Sequence, residues 1–375
     1  MIKISSKAYV DYFEELAKKF YPKLYARLIR YDEVECLKRL KNIGYFCGMD
    51  YVGIPKLIPG DFYSRDDHSR VCAFLTLLYT GRFKQALAAR FHDAGTYPFA
   101  HVRSFKEGNE GWQDADEMDV YTIISKDPLA KKLLAEDKID IATISDVSKF
   151  PIVDKDRPAL CIDRLDGILS STHIWAKRFS LRKTEQLAKL VYPCFQYKNP
   201  NDYIIDEKRK KYGKELCIVD FWGKTIDTLD FFDAIHIYMS RLISKESRYS
   251  MALFGEILKF MDQKGIIPSD YFYLTEEEMI QLFINSPYGC LWEDFRNLKL
   301  VRKAMPSDDY TLNPKTKIRY CYPFLIHHEL FGKNYPFELL DYEEYIGIEK
   351  AVIRNKGSLY ADISSESKHL LLQNK

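Results

Sequence analysis

The chain has 375 residues, of which 46% are hydrophobic and 29% are charged, and its formal net charge is only +2. This composition is typical of a globular protein with a sizeable core, and it argues against bulk electrostatic binding to nucleic acid or to an anionic membrane. No apolar run in the sequence is long enough to span a bilayer.

The N-terminal half of the sequence predicts helices separated by loops. Residues 7–43 show helical periodicity, whereas residues 47–64 contain several turn-forming residues and predict a loop. A helix is expected from about His68 to a stop at Gly81, and a second helix is expected over about 83–93.

Helical signals continue through the middle of the chain. Asp127 is expected to cap a helix that has Pro128 at its first position. Residues 157–179 predict a buried helix, and residues 197–221 predict a charged turn between short strands. Helices are expected again over about 226–262.

The C-terminal part mixes helical and strand signals. Thr275 and Glu278 have the spacing of a capping box, which predicts the start of a helix. After residue 303 the alternation of polar and apolar residues predicts strands, and residues 364–375 are expected to be loosely ordered.

The cysteines and the N-terminus bear on the compartment. The eight cysteines are scattered, and no two are separated by two residues, so neither a zinc knuckle nor a compact disulfide framework is predicted. The amphipathic N-terminus lacks the continuous apolar stretch of a signal peptide. We therefore expect reduced cysteines and a cytoplasmic location.

One stretch, RFHDAGTYPFAH at 90–101, places two polar side chains where an apolar helix ends. These are His92 and Asp93, and a tight turn with glycine and proline follows them. Burying an unpaired carboxylate is costly. Asp93 is therefore neutralised by a cation, caps a helix, or is exposed.

Other residues favour the cation. His68 lies 24 residues before His92 on the face of a helix, and a helix–turn–helix would let the two meet. Asp163 and Asp166 lie three residues apart on a later apolar helix. Two imidazoles and two carboxylates suit a divalent metal that keeps positions open for water. Asp166 is either a further ligand or a carboxylate that supports a ligand.

Three stretches in order resemble the HD-domain phosphohydrolases. They are SRDDHS at 64–69, HDAGTYPFAH at 92–101 and DRLDGILSSTH at 163–173. The middle stretch is similar to the HDxGHxPFxH signature of bacterial dGTPases and of the SAM-and-HD-domain deoxynucleotide triphosphohydrolases. The resemblance covers roughly residues 60–285.

The resemblance implies a ligand set and a catalytic set. It implies one divalent metal ion (Mn, Mg, Fe, Ni, Co or Zn) bound by His68, His92, Asp93 and Asp163. It also implies phosphate contacts from two arginines and a histidine that closes the signature, namely Arg65, Arg164 and His101. The alternative for both arginines is a structural salt bridge.

The sequence departs from this subgroup at four positions. Thr96 and Asp116 stand where the subgroup has a pair of active-site histidines, and Asp116 is hypothesised to act as the general acid or base. The residues that read the sugar in the subgroup fall on Gly167 and Ser171. Recognition of deoxyribose is therefore not carried over.

The expected fold is an all-α HD core with a small α+β C-terminal lobe. The predicted segments are an N-terminal helical segment over 1–60, the metal-binding core over 61–195, a helical extension over 196–300 with a short β insertion near 197–221, and the C-terminal lobe over 301–375.

The expected function is metal-dependent hydrolysis of a phosphate ester or anhydride in a nucleotide or related phosphorylated metabolite. The alternatives are a deoxynucleotide triphosphohydrolase proper and a non-hydrolytic nucleotide-binding sensor. The expected partner is a small phosphorylated substrate, with a possible homo-oligomer, no membrane and no nucleic acid.

Overall fold

A computed structural model describes most of the chain. The described residues are 6–54, 57, 61–106, 119–155, 159–196, 203–204, 215–220, 225–314, 321, 324–327 and 358–373. Within them the protein is mostly helical with a small amount of sheet, which confirms the predicted fold class. No described helix combines the length and apolarity needed to cross a membrane.

The helices and strands follow one another along the chain with short connections. The α-helices are α1 Ser6–Phe20, α2 Pro22–Leu28, α3 Glu35–Lys38, α4 Arg65–Thr80, α5 Phe83–Phe91, α6 Val102–Lys106, α7 Val120–Lys126, α8 Pro128–Glu136, α9 Ile141–Ile144, α10 Ile162–Ser170, α11 Leu181–Ala188, α12 Thr225–Leu242, α13 Lys245–Gln263, α14 Glu276–Ile284, α15 Gly289–Asn297 and α16 Ser365–Leu372. The strands are β1 Val191–Gln196, β2 Tyr203–Ile204, β3 Glu215–Asp220, β4 Arg302–Lys303, β5 Phe324–His327 and β6 Leu359–Tyr360.

Helix α4 lies at the centre of the core, because it packs against α1, α5 and α10. Its ends follow from local chemistry. The Ser64 hydroxyl accepts a hydrogen bond from the backbone N–H of Asp67, and the Asp67 carboxylate accepts one from the backbone N–H of Ser64. Gly81 ends the helix with a φ of 61°, a left-handed conformation that glycine adopts without strain. The predicted stop at Gly81 is confirmed.

Two small sheets accompany the helices. In the first, the strand order is β2-β1-β3-β5; β1 is antiparallel to both β2 and β3, and β3 is parallel to β5. Strands β4 and β6 form the second, antiparallel sheet. The predicted strands after residue 303 include β5 and β6. Since β5 pairs with β3, the predicted β insertion and the predicted C-terminal lobe share one sheet.

The other cap predictions are confirmed, and two element predictions need correction. Asp127 caps α8, and Thr275 forms the predicted capping box at α14. The helix predicted from residue 157 begins at Ile162, because Cys161 is in extended backbone. The end of the chain is not loose: the Ser364 hydroxyl accepts a hydrogen bond from the N–H of Ser367 and caps α16.

Candidate metal centre

The residues predicted as metal ligands come from three neighbouring elements. His68 lies in the first turn of α4, His92 and Asp93 directly follow α5, and Asp163 is the second residue of α10. Because α4 packs against both α5 and α10, residues that are far apart in the sequence reach one point in the core.

Each of the two imidazoles faces both carboxylates. His68 Nε2 lies 3.1 Å from Asp163 Oδ1 and 3.7 Å from Asp93 Oδ2. His92 Nε2 lies 3.6 Å from Asp93 Oδ2 and 3.9 Å from Asp163 Oδ1. Nitrogen and oxygen donors bind zinc, for example, at about 2.0–2.2 Å, which places neighbouring donors about 3 to 3.5 Å apart. The four donors are thus spaced for a single ion after a small inward movement.

His92 carries the most direct sign of a missing partner. Its Nδ1 donates a hydrogen bond to the backbone oxygen of Ala89 at 2.7 Å. Its Nε2 is buried, and no group in the described part of the chain lies within hydrogen-bonding distance of it. A buried, unpaired imidazole nitrogen is costly in a protein core, whereas a metal ion would satisfy it. The residues therefore fit a divalent ion.

Asp166 lies behind His68 and orients it. His68 Nδ1 lies 2.6 Å from Asp166 Oδ2, while Tyr9 Oη donates to Asp166 Oδ1 at 2.7 Å and Tyr63 Oη donates to Oδ2 at 3.0 Å. A fully buried carboxylate that accepts from His68 Nδ1 leaves the Nε2 lone pair directed at the other ligands. Of the two alternatives for Asp166, the geometry supports the supporting carboxylate.

Arg65 is the charge partner of Asp93. Its Nη1 lies 3.1 Å from each Asp93 oxygen, and both side chains are buried. Burial alone would raise the pKa of Asp93, but Arg65, His92 and His68 hold this pKa well below its ordinary value. Arg65 thus forms the structural salt bridge named as its alternative, and a phosphate contact from it stays a prediction.

The ligands differ in their access to solvent. The side chain of Asp163 is 33% exposed, whereas those of His68, His92 and Asp93 are at most 8% exposed. Asp154, which lies beside Asp163, is also partly exposed. An ion and its substrate would therefore reach the site from the side of Asp163.

Two cysteines lie near the ligands and offer other donor groupings. Possible ligand atoms lie within 4.8 Å of one another in the set His68, Cys72 and His92, and in the set Asp154, Cys161 and Asp163. Cys72 Sγ is 3.8 Å from His68 Nδ1 and 3.7 Å from its Nε2. Because it is nearly equidistant from both nitrogens, the sulfur does not lie along the lone pair of Nε2.

Comparisons with known proteins name no family. No protein-family model matches the chain, and no curated protein matches it. A solved structure described as a hypothetical protein from Aquifex aeolicus is similar, with a TM-score of 0.48 and 13% sequence identity over 93% of this chain and 95% of that chain. A likeness at this level carries no argument about activity.

The remaining residues of the predicted catalytic set are less clearly placed. Arg164 donates from Nη1 to the backbone oxygen of Ala159 and from Nη2 to that of Lys155, so its guanidinium is committed to the loop before α10. His101 lies half-buried just before α6. Asp116 lies outside the described residues. Active-site roles for all three stay predictions.

Three of the positions that depart from the subgroup are packed into the core. Thr96 Oγ1 donates to Asp93 Oδ1 at 3.4 Å. A Cβ on Gly167 would lie 2.7 Å from the hydroxyl of Tyr45 and 2.8 Å from that of Tyr238, so these two hydroxyls fill the space beside Gly167. Ser171 is buried.

The turn after Asp93 is strained and is braced from a distance. Phe99 and Ala100 have φ values of 62° and 44°, which side chains rarely adopt. The backbone N–H of Phe99 donates to Glu276 Oε1 at 3.0 Å, and the ring of Phe99 packs 4.7 Å from that of Phe254. The start of α14 therefore stabilises the turn that follows the HD pair.

Glu276 has a buried acidic neighbour, Asp50, and the pair predicts a pH-dependent stability. Burial and then each other's charge raise the pKa of Asp50 to about 8, and burial raises that of Glu276 to about 7. Both oxygens of Asp50 lack a hydrogen-bond partner in the described part of the chain. Tyr51 donates to Glu276 at 2.9 Å, and Arg65 lowers the Glu276 pKa slightly.

Stability is expected to fall as pH rises from about 4 to about 8. The unfolded chain releases these protons near pH 4 while the folded protein keeps them, so each group costs about 1.4 kcal/mol per pH unit in this window. Asp50→Asn is expected to flatten this slope and to stabilise the protein at pH 8, as measured by denaturant unfolding from pH 5 to 9. The exposed control Asp11→Asn should keep the wild-type slope. An unchanged slope in Asp50→Asn would show that Asp50 is ionised in the fold.

The sequence did not indicate several of these contacts. Tyr9 and Tyr63 carry no local sign that they hold Asp166. Asp66, which neighbours Asp67 at the start of α4, is buried and paired with Arg90. Only Cys72 could have been found, since it lies four residues after His68 and one turn along the same helix face.

Proposed function

We propose that the protein is a metal-dependent phosphohydrolase of the HD type, acting on a phosphate ester or anhydride of a nucleotide or related phosphorylated metabolite. The observation that carries the proposal is the approach of His68, His92, Asp93 and Asp163 to one point, with His92 Nε2 buried and unpartnered. The resemblance of the three sequence stretches to that family supplies the reaction class.

The side chains of this site divide the work. A divalent ion held by the four ligands would supply an activated water and polarise a phosphoryl oxygen. Asp166 fixes the orientation of the His68 ring, and Arg65 keeps Asp93 ionised and in place. Asp163 is the ligand that faces solvent, so a phosphate group would approach beside it.

The test is a phosphate-release screen over nucleotides and phosphorylated metabolites, with Mn, Mg, Fe, Co, Ni and Zn added in turn. The double variant His92→Ala/Asp93→Ala serves as the background. We expect at least one substrate and metal pair to release phosphate with the wild-type protein and not with the double variant. Release at equal rates from both proteins, or from neither with every metal, would contradict the proposal.

A nucleotide-binding sensor is the second candidate, and one observation favours it. The guanidinium groups of Arg65 and Arg164 are bonded to protein acceptors, so neither is poised to offset charge on a transferring phosphoryl group. A sensor would be stabilised against heat by a nucleotide in the presence of metal without releasing phosphate. A deoxynucleotide triphosphohydrolase proper is less well supported, since Tyr45 and Tyr238 crowd Gly167.

A further inference from the structure

A second cavity, lined by none of the four metal ligands, lies where the π-helical turn Ser171–Trp175 meets α12 and the segment after α15. Its volume is about 830 Å³, which is within the range of small-molecule sites. Apolar side chains line much of it, among them Ile54, Leu57 and Ile237, together with Trp175. Two basic residues, Arg241 and Lys299, also line it.

Two hydrogen-bond donors on the lining residues have no acceptor. The indole Nε1 of Trp175 is buried without a hydrogen-bond partner, and Trp175 is only 1% exposed. Nη1 of Arg241 is also buried and lacks a partner in the described part of the chain. Buried donors left unpaired are uncommon in proteins, and each one is costly.

The charge of Arg241 is likewise uncompensated. No carboxylate of the described residues forms an ion pair with it, and burial lowers its pKa. Glu246, the acidic side chain on the cavity wall, lies 3.6 Å from Lys245 and is thus already paired. A partly buried cation without a counter-charge is a place where an anion gains from binding.

We propose that this cavity binds an organic anion with an apolar or aromatic body. The anionic head accepts from Arg241 Nη1, and the body packs on the apolar wall beside Trp175. The inference does not depend on the proposed phosphohydrolase function, because the residues of the cavity are not those of the metal centre.

The position of Trp175 makes binding observable. Its ring stacks on that of Tyr45, with centroids 6.0 Å apart and an interplanar angle of 6°. The Tyr45 ring in turn lies 4.5 Å from the ring of His68. A ligand in the cavity would therefore touch an aromatic layer that extends to the metal ligands, and it would change tryptophan fluorescence.

The test compares naphthalene-1-acetate with its uncharged analogue 2-(1-naphthyl)ethanol, by calorimetry and tryptophan fluorescence. We expect the acid to bind the wild-type protein saturably with one site per chain. In Arg241→Met its affinity should fall by about ten-fold or more, since a hydrogen bond to a charged group contributes roughly 1.5–3 kcal/mol. The uncharged analogue should bind both proteins alike, and Arg241→Lys should restore much of the difference.

Arg241→Met is expected to fold, because it removes a charge that has no partner, and a melting temperature no lower than that of the wild type would show this. Absence of saturable binding of the acid to the wild-type protein would overturn the proposal. Equal affinity of the acid for folded Arg241→Met and for the wild type would overturn it as well.

Discussion

Asp163→Asn is expected to weaken metal binding by more than about 100-fold. The substitution removes a negative donor that lies 3.1 Å from His68 Nε2, and loss of groups that merely support a ligand already costs about 10–100-fold. Because the Asp163 side chain is 33% exposed, its amide replacement should not destabilise the fold. Metal content after dialysis against each ion, together with calorimetric titration, measures the effect.

Two control variants decide which donors form the site. Cys72→Ala tests the grouping of His68, Cys72 and His92, and Asp154→Asn tests the grouping of Asp154, Cys161 and Asp163. Both are expected to retain the metal. Loss of metal in Cys72→Ala but not in Asp163→Asn would show that the sulfur, and not the carboxylate, completes the site.

Asp166→Ala is expected to lower the free energy of unfolding by about 3–5 kcal/mol, the cost of removing one partner from a buried charged network. The substitution leaves the hydroxyls of Tyr9 and Tyr63 and Nδ1 of His68 without their acceptor in the core. Urea unfolding at neutral pH measures this loss. A change below about 1 kcal/mol would mean that these donors find other acceptors.

Asp166→Asn separates this structural role from the effect on the metal. An amide can still accept from a tyrosine hydroxyl, so the loss of stability should be smaller than in the alanine variant. Its NH₂ group, however, can donate to His68 Nδ1 and shift the ring proton to Nε2, where the metal would bind. We expect metal affinity to fall by about 10–100-fold in a folded protein. Wild-type affinity would show that Asp166 does not set the orientation of His68.

Local signals explain why much of the helical fold was predictable. Ser and Thr side chains at helix starts, and glycine after a helix, act within four residues, so Gly81 and the capping box at Thr275 could be recognised directly. The four candidate ligands were also found, since each pairs a metal-competent side chain with a short motif. The strand pairing of β3 with β5 has no such signal, because hydrogen bonds alone select the partner.

The support of the site was not predictable for the same reason. Tyr9 is 157 residues from Asp166 in the sequence, and Tyr63 is 103 residues from it. Nor does any pattern near Arg65 indicate that it faces Asp93, or any pattern near Arg241 that it lacks an acceptor. Such contacts depend on how helices pack, and a single sequence gives the helices without their packing.

The parallel pairing of β3 with β5 has a consequence for the order of folding. Residue 217 pairs with 324, so the whole of α12 to α15 must leave the ribosome before the sheet can be completed. Contacts this distant in sequence form slowly, because closing a long loop is entropically unfavourable. During synthesis, β3 therefore waits with one open edge while the helical core around α4 is already free to form.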